Sequence, residues 1–246
     1  PPYHDAMTDS ISALLAEARE ARLQGRFDEA VTTFETVLAR DPGHLSARIG
    51  RAAALSQGQR LEEAAAAIDG VLADCPDDPD AHFEAGFIAR AQRRHEDELR
   101  HFDQAAAKAA HPIPALLQLV EAAYLAGRPS LALDAARRAT GHGPDVAAAW
   151  IAEARAAQVV GDAETRLAAL RRAAALDPGN PAPLLELAQA ALDAGDGAAA
   201  LALIEAAAAL PSHPPELELL RGHALLALGQ EERATDAFRL AVAANP

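Results

Sequence analysis

An all-α protein built from stacked helical hairpins is predicted by three features of this sequence. A 34-residue self-similarity runs along the chain without insertion. Glycine and proline punctuate each copy at fixed places. No run of β-branched residues alternates with period two, so no sheet is expected.

The repeat shows first as recurring phrases. GRFDEA…VLARDPGH at residues 25–44 returns as QRLEEA…VLADCPDD at 59–78, as GRPSLA…ATGHGP at 127–144, and as GDGAAA…AALPSH at 195–213. Aligned, they give seven copies starting at residues 11, 45, 79, 113, 147, 181 and 215. Each copy reads as a helix A, a turn at its position 15 and a helix B. Position 15 is Gly25, Gly127, Gly161, Gly195 and Gly229 in five copies; glycine ends a helix there by entering the left-handed region without a Cβ clash. Position 32 is Pro42, Pro76, Pro144, Pro178 and Pro246, where proline stops helix B.

The packing register follows. Position 8 is small in Ala18, Ala52, Gly86, Ala154, Ala188 and Gly222, with Val120 the exception. Position 20 is Ala30, Ala64, Ala132, Ala200 and Ala234. Small residues at both let helices A and B approach closely. Position 24 carries the bulk (Phe34, Ile68, Phe102, Leu170, Ile204 and Phe238) and is expected to fill the seam toward the next copy. One hairpin cannot bury its own apolar stripe; stacked neighbours make one continuous core.

Composition narrows the function. The chain of 246 residues is 50% apolar, 24% charged and only 4% aromatic, which suits an ordered helical protein rich in alanine. A net charge of −14 argues against general nucleic-acid binding, which needs clustered Lys and Arg. No apolar run approaches the length of a membrane span, so no membrane partner is expected. The start lacks the pattern of a secretory signal. Cys75 is the only cysteine, which fits a reducing compartment; a cytoplasmic location is the expectation. Residues 1–10 read as an N-terminal tail, with Met7 a candidate initiator and residues 1–6 a vector remnant. Residues 11–246 read as a single solenoid.

The repeat resembles the tetratricopeptide-repeat (TPR) family, in particular its alanine-rich bacterial kind. The family signature is W-x2-L-G-x2-Y…A-x3-F…P. Trp150 occupies the Trp site of copy five and Leu187 the Leu site of copy six. The resemblance implies an α-solenoid, a right-handed superhelix of helix-turn-helix repeats with helix A on the inside. Departures stand at position 4 (Arg48, His82, Glu218) and position 20 (Glu98, Arg166). Helix B of copy three is expected to overrun its stop, to His111 and Pro112.

The resemblance also implies which residues face the concave side, at helix-A positions 2, 5, 6, 9, 12 and 13. Position 5 is apolar throughout, in Leu15, Ile49, Phe83, Leu117, Ile151, Leu185 and Leu219. Positions 9 and 12 vary as a recognition surface does. The candidate groove set is Arg19, Arg22, Phe83, Phe87, Arg90, Leu117, Glu121, Tyr124, Ile151, Arg155, Gln158 and Gln189. Arg19, Arg22, Arg90 and Arg155 together suggest a basic interior suited to carboxylates. Two family readout schemes fail. The terminal-carboxylate clamp needs Lys and Asn at positions 5 and 9, where copy one has Leu15 and Arg19; the position-6 asparagine ladder is absent.

Chemistry finds little support. Nine histidines show no H-E-x-x-H, cysteine pair or calcium loop, so no metal or cofactor is expected. His95, Glu98 and His101 suggest a local cluster on the surface. Cys75 has no evident base and reads as an inert thiol. Asp77, Asp78 and Asp80 read as a solvated turn with N-cap candidates. The expectation is a non-enzymatic scaffold holding a protein or peptide client in its groove. A rival expectation is the substrate-recognition arm of a larger enzyme, a transferase or iron-dependent hydroxylase. A third is self-association through uncapped solenoid ends.

Overall fold

The computed structural model describes residues 2–212 and 214–244. The described residues form helices joined by short turns, with no strand among them. Two units divide the chain after Arg128. The first holds α1 (Pro2–Leu23), α2 (Phe27–Arg40), α3 (Leu45–Gln57), α4 (Leu61–Asp74), α5 (Pro79–Ala91), α6 (His95–Lys108) and α7 (Ile113–Leu125). The second holds α8 (Pro129–His142), α9 (Ala147–Val160), α10 (Ala163–Leu176), α11 (Ala182–Asp193), α12 (Gly197–Ala208), α13 (Glu216–Ala227) and α14 (Glu231–Ala244). The B helices begin at residues 27, 61, 95, 129, 163, 197 and 231, all at position 17 of their copies. Within each unit every helix packs against the next.

The turn at position 15 is the same device seven times. Its five glycines have φ between 67° and 80°. Gln59 and Arg93, which hold the same place in copies two and three, are forced to φ 63° and 59°. At all seven turns the position-16 amide donates to the position-11 carbonyl at 2.8–2.9 Å, from Arg26→Ala21 to Gln230→Leu225. That six-to-one bond closes the end of helix A.

Close A–B packing follows from the small residues. Ala18, Ala52, Ala154 and Ala188 at position 8 are sealed, as are the five position-20 alanines. Phe34, Phe102, Leu55, Ile68, Leu170 and Ile204 are fully buried among them, each worth roughly 1.5–3 kcal/mol on burial. The position-24 rings do not all go where the sequence suggests. Phe34 lies against Gly50 of the next copy, filling the seam. Phe102 and Phe238 instead press on Gly86 and Gly222, position 8 of their own copies. A Cβ there would stand 2.6 and 2.4 Å from the ring, so the missing side chain decides which helix takes the phenylalanine.

Two copies that lack the position-4 tryptophan keep a hydrogen-bond donor there, Arg48 and His82. Trp150 Nε1 donates to the Pro144 carbonyl at 3.0 Å. His82 Nε2 stands 2.9 Å from the Pro76 carbonyl, and Arg48 donates to Gly70 O at 2.9 Å. A carbonyl only accepts, so His82 carries its proton on Nε2. Its Nδ1 then accepts from His101 Nδ1–H at 3.1 Å. The expected His95–Glu98–His101 cluster is therefore corrected: His95 lies 3.4 Å from Glu98, while His101 pairs with His82 across the α5–α6 seam.

A second correction concerns copy three. Helix α6 does not overrun; it stops at Lys108, with Ala109 extended at ψ 141°. That is the position at which α2 and α4 also stop. Pro112 and Pro114 bracket the start of α7, and the pre-proline bias keeps His111 out of the helix. Asp78 caps α5 by accepting from the Ala81 amide at 2.8 Å, and Asp77 pairs with Lys108.

Two measurements test this account. A non-glycine residue in the left-handed region costs about 1–2 kcal/mol, partly offset by glycine's greater chain entropy. Gln59→Gly and Arg93→Gly should each stabilise the chain by roughly 1 kcal/mol in denaturant unfolding, and Gly25→Ala should do the reverse; no gain in either glycine variant refutes the strain. The second concerns pH. His101 is pushed down to about 4 by burial first, then by Arg100 and His82, against Asp97 and Asp69. A folded imidazole below its ordinary 6.5 supplies stability above that pH, lost as pH falls toward 4. The thermal midpoint should fall less steeply through this window in His101→Gln than in the wild type; equal slopes would remove the histidine pair from the explanation.

Candidate functional site

Successive A helices touch one another: α1 with α3 and α3 with α5 in the first unit, α11 with α13 in the second. No comparable contact joins successive B helices among the described residues. Inside each unit the stack thus closes on its A side. A pocket opens on that side in each unit.

The first pocket, about 210 Å³, is lined by Arg19 and Arg22 of α1, Ser46, Ile49, Gly50 and Ala53 of α3, and Asp80, Phe83 and Glu84 of α5, with Phe34 behind. Gly50 and Ala53 are small enough for Arg22 to reach over α3 to Glu84, at 3.9 Å. The Glu84 carboxyl is raised above its ordinary range by burial; Arg22 opposes this and Asp80 adds to it. Arg19 is exposed. The pocket holds two cations and two carboxylates, so its character is mixed rather than basic.

The second pocket, about 530 Å³, is lined by Gln158 of α9, Arg166 of α10, Ala182, Leu185, Glu186 and Gln189 of α11, Pro214, and Glu216, Leu219 and Leu220 of α13. Leu219 is 46% exposed on its floor. Arg166 Nη2 lies 3.4 Å from Glu186.

Between α5 and α7 the A face carries a polar cluster instead of a pocket. Glu98, at the position alanine fills in five copies, is 0% exposed. Arg90 Nε donates to it at 2.5 Å and Nη1 donates to Gln118 Oε1 at 2.8 Å. The guanidinium lies 5.4 and 5.2 Å from the Phe87 and Phe102 ring centres. Phe83, Phe87 and Phe102 meet edge to face at 5.1–5.8 Å.

The expected groove residues therefore separate. Arg19, Arg22 and Phe83 share the first pocket; Gln158 and Gln189 share the second. Phe87 and Arg90 build the cluster, where Arg90 serves Glu98. Leu117, Tyr124 and Ile151 are half-buried, and Glu121 and Arg155 exposed; none of these five lines either pocket. Sequence reasoning treated Arg166 only as a packing irregularity, although a charge at an alanine position is itself a signal. Among the described residues no group of three His, Cys, Asp or Glu side chains converges as metal ligands, and no helix is long and apolar enough to cross a membrane.

The cluster makes a double-mutant test. Removing one partner of a buried ion pair costs about 3–5 kcal/mol, while removing both is often near neutral. Arg90→Leu should destabilise strongly in denaturant unfolding, and Arg90→Leu with Glu98→Ala should recover most of the loss; a double variant no better than the single one contradicts the pairing.

Comparison with known proteins agrees with this architecture. A tetratricopeptide-repeat family model matches residues 15–79 and 185–246, together just over half of the chain. No curated protein matches the sequence. Among solved structures, the C-terminal part of a TPR repeat-containing protein from Cytophaga hutchinsonii superposes with a TM-score of 0.77 at 13% identity, covering 94% of this chain and 95% of that one. MamA gives 0.60 at 17% identity over 68% of this chain and 91% of its own. YrrB, described as a TPR protein with an unusual peptide-binding site, gives 0.57 at 16% identity over 84% and 97%. At these identities the likeness speaks to fold. The repeat register, the hairpin stack and the family match together make this chain a member of the tetratricopeptide-repeat family.

Proposed function

We propose that this chain is a protein-interaction scaffold whose A-helix face holds a peptide or protein segment of a partner. One observation carries the reading. Position 5 is apolar in every copy, yet it is seldom sealed: Leu15, Ile49, Phe83, Leu117 and Ile151 are only half-buried, and Leu219 is open. Within each unit, an apolar line left accessible on the A helices, flanked by polar side chains that change from copy to copy, suits a bound segment. Arg19, Glu121, Arg155, Gln158 and Gln189, which are exposed, and the half-buried Phe83 are side chains of the expected groove set that would read it. YrrB, a TPR protein with an unusual peptide-binding site, supports this use of the fold.

Selection of random displayed peptides against the full chain tests the proposal. Selected peptides should bind roughly tenfold more weakly, about 1.4 kcal/mol, to Arg19→Glu or Leu219→Glu. Arg171→Glu, an exposed change on helix B, should leave affinity unchanged. Failure to select any binder, or indifference of all binders to both groove changes, overturns the reading.

A further inference from the structure

Two copies replace the position-20 alanine with a charge, and the two are treated differently. Glu98 is fully enclosed and fully answered: Arg90 donates at 2.5 Å, and His95 stands at 3.4 Å. Arg166 is not answered. Its side chain is only 18% exposed, its Nε is buried without a hydrogen-bond partner, and its one polar contact among the described residues is Glu186 at 3.4 Å. A guanidinium carries five donors; here the Nε–H is buried without an acceptor and Nη2 makes only one long contact. Burying a charged donor without partners is costly. Alanine at this place would avoid the cost, as five other copies do.

The side chain that bears this cost lines a pocket. Leu185, Leu219 and Leu220 give that pocket an apolar floor, and the exposed Gln158 stands on its α9 wall. The pocket is an open trough spanned by the A helices α9, α11 and α13. A segment can therefore pass through it, presenting a side chain downward.

We propose that Arg166 is the anchor of a carboxylate subsite, reading an acidic side chain flanked by aliphatic residues in the partner segment. The proposal rests on the groove reading above and specifies its chemistry in the second unit. Guanidinium and carboxylate match in charge and geometry, and the match strengthens where water is excluded. Glu186 occupies the place in the free protein. Its side chain is 35% exposed and its contact is at the limit of a hydrogen bond, so it can turn to solvent when the ligand arrives. Glu186 and the exposed Glu216 then repel the incoming acid, which makes Glu186 a competitor whose removal should tighten binding.

The test uses the full chain and three peptides: acetyl-Ala-Leu-Leu-Glu-Leu-Leu-Ala-amide, its Gln counterpart, and the Gln peptide with a free carboxyl terminus. By calorimetry the Glu peptide should bind at least about tenfold more tightly than either other one. Arg166→Ala should abolish that preference while its helical circular dichroism and melting stay at or above wild type. Glu186→Gln should strengthen binding of the Glu peptide. Equal affinity for Glu and Gln peptides, no binding of the Glu peptide, a preference for the free terminus, or a preference that survives Arg166→Ala each overturns the subsite. Those results leave the groove reading intact if selected peptides still respond to Leu219→Glu; absence of any selected peptide removes the groove reading itself.

Discussion

The fold depends on how closely helix A and helix B of one hairpin approach. Both are short, 12–14 residues in all but α1, and short helices are marginal by themselves. Their stability comes from contact, and contact is set by the small residues at positions 8 and 20 and by the turn that folds B back onto A. Gln59 and Arg93 show the strength of this constraint. Each is held in a left-handed conformation worth about 1–2 kcal/mol of strain, while burial of Ile68 or Phe102 in the same copies returns roughly 1.5–3 kcal/mol for a single side chain. Packing outweighs the local preference, so the turn persists without its glycine.

The same constraint explains why substitutions in the seams are compensated in kind. Where position 8 loses its Cβ, a phenylalanine moves onto its own helix A; where it keeps one, the ring of Phe34 crosses to Gly50. Where tryptophan is lost at position 4, His82 still donates to a carbonyl just past the preceding helix B, and Arg48 donates to Gly70 O in the helix B of its own copy. These exchanges conserve a contact rather than a residue. Glu98 follows the rule by recruiting Arg90 from the helix-A face. Arg166 departs from it, because Glu186 reaches it at one long distance only.

This difference bears on what could be read from the sequence. The hairpins were legible because each depends on residues near in sequence: Asp78 caps α5, and Gly161 ends α9 at a place where glycine recurs in five copies. The seven-fold register multiplied weak local signals into a strong one. The candidate groove was legible only by position. Arg90 and Arg155 stand at equivalent-looking sites, yet Arg90 is drawn into a buried pair and Arg155 stays exposed. That outcome depends on Glu98, on a different helix, and no periodicity reports it. The extent of α6 was misjudged for a related reason. Helix B stops where the next hairpin must begin to pack, and the proline that enforces this has moved from position 32 to Pro112.

Net charge gives no guide to the groove, and the two pockets show why. The chain carries −14 overall, yet each pocket places arginine beside a position-6 glutamate, Arg22 with Glu84 and Arg166 with Glu186. Both contacts are long, 3.9 and 3.4 Å, so neither has the strength of a close, bidentate guanidinium–carboxylate pair. A weak internal partner holds each arginine in place and keeps it from collapsing onto the apolar floor. In the subsite proposed for Arg166 that partner sets a threshold, since an incoming segment must offer a better acceptor than the glutamate it displaces. Discrimination in such a groove comes from that difference between acceptors rather than from the arginine alone. On that proposal an acidic protein selects an acidic segment because its own carboxylate, Glu186, is held at the edge of bonding distance.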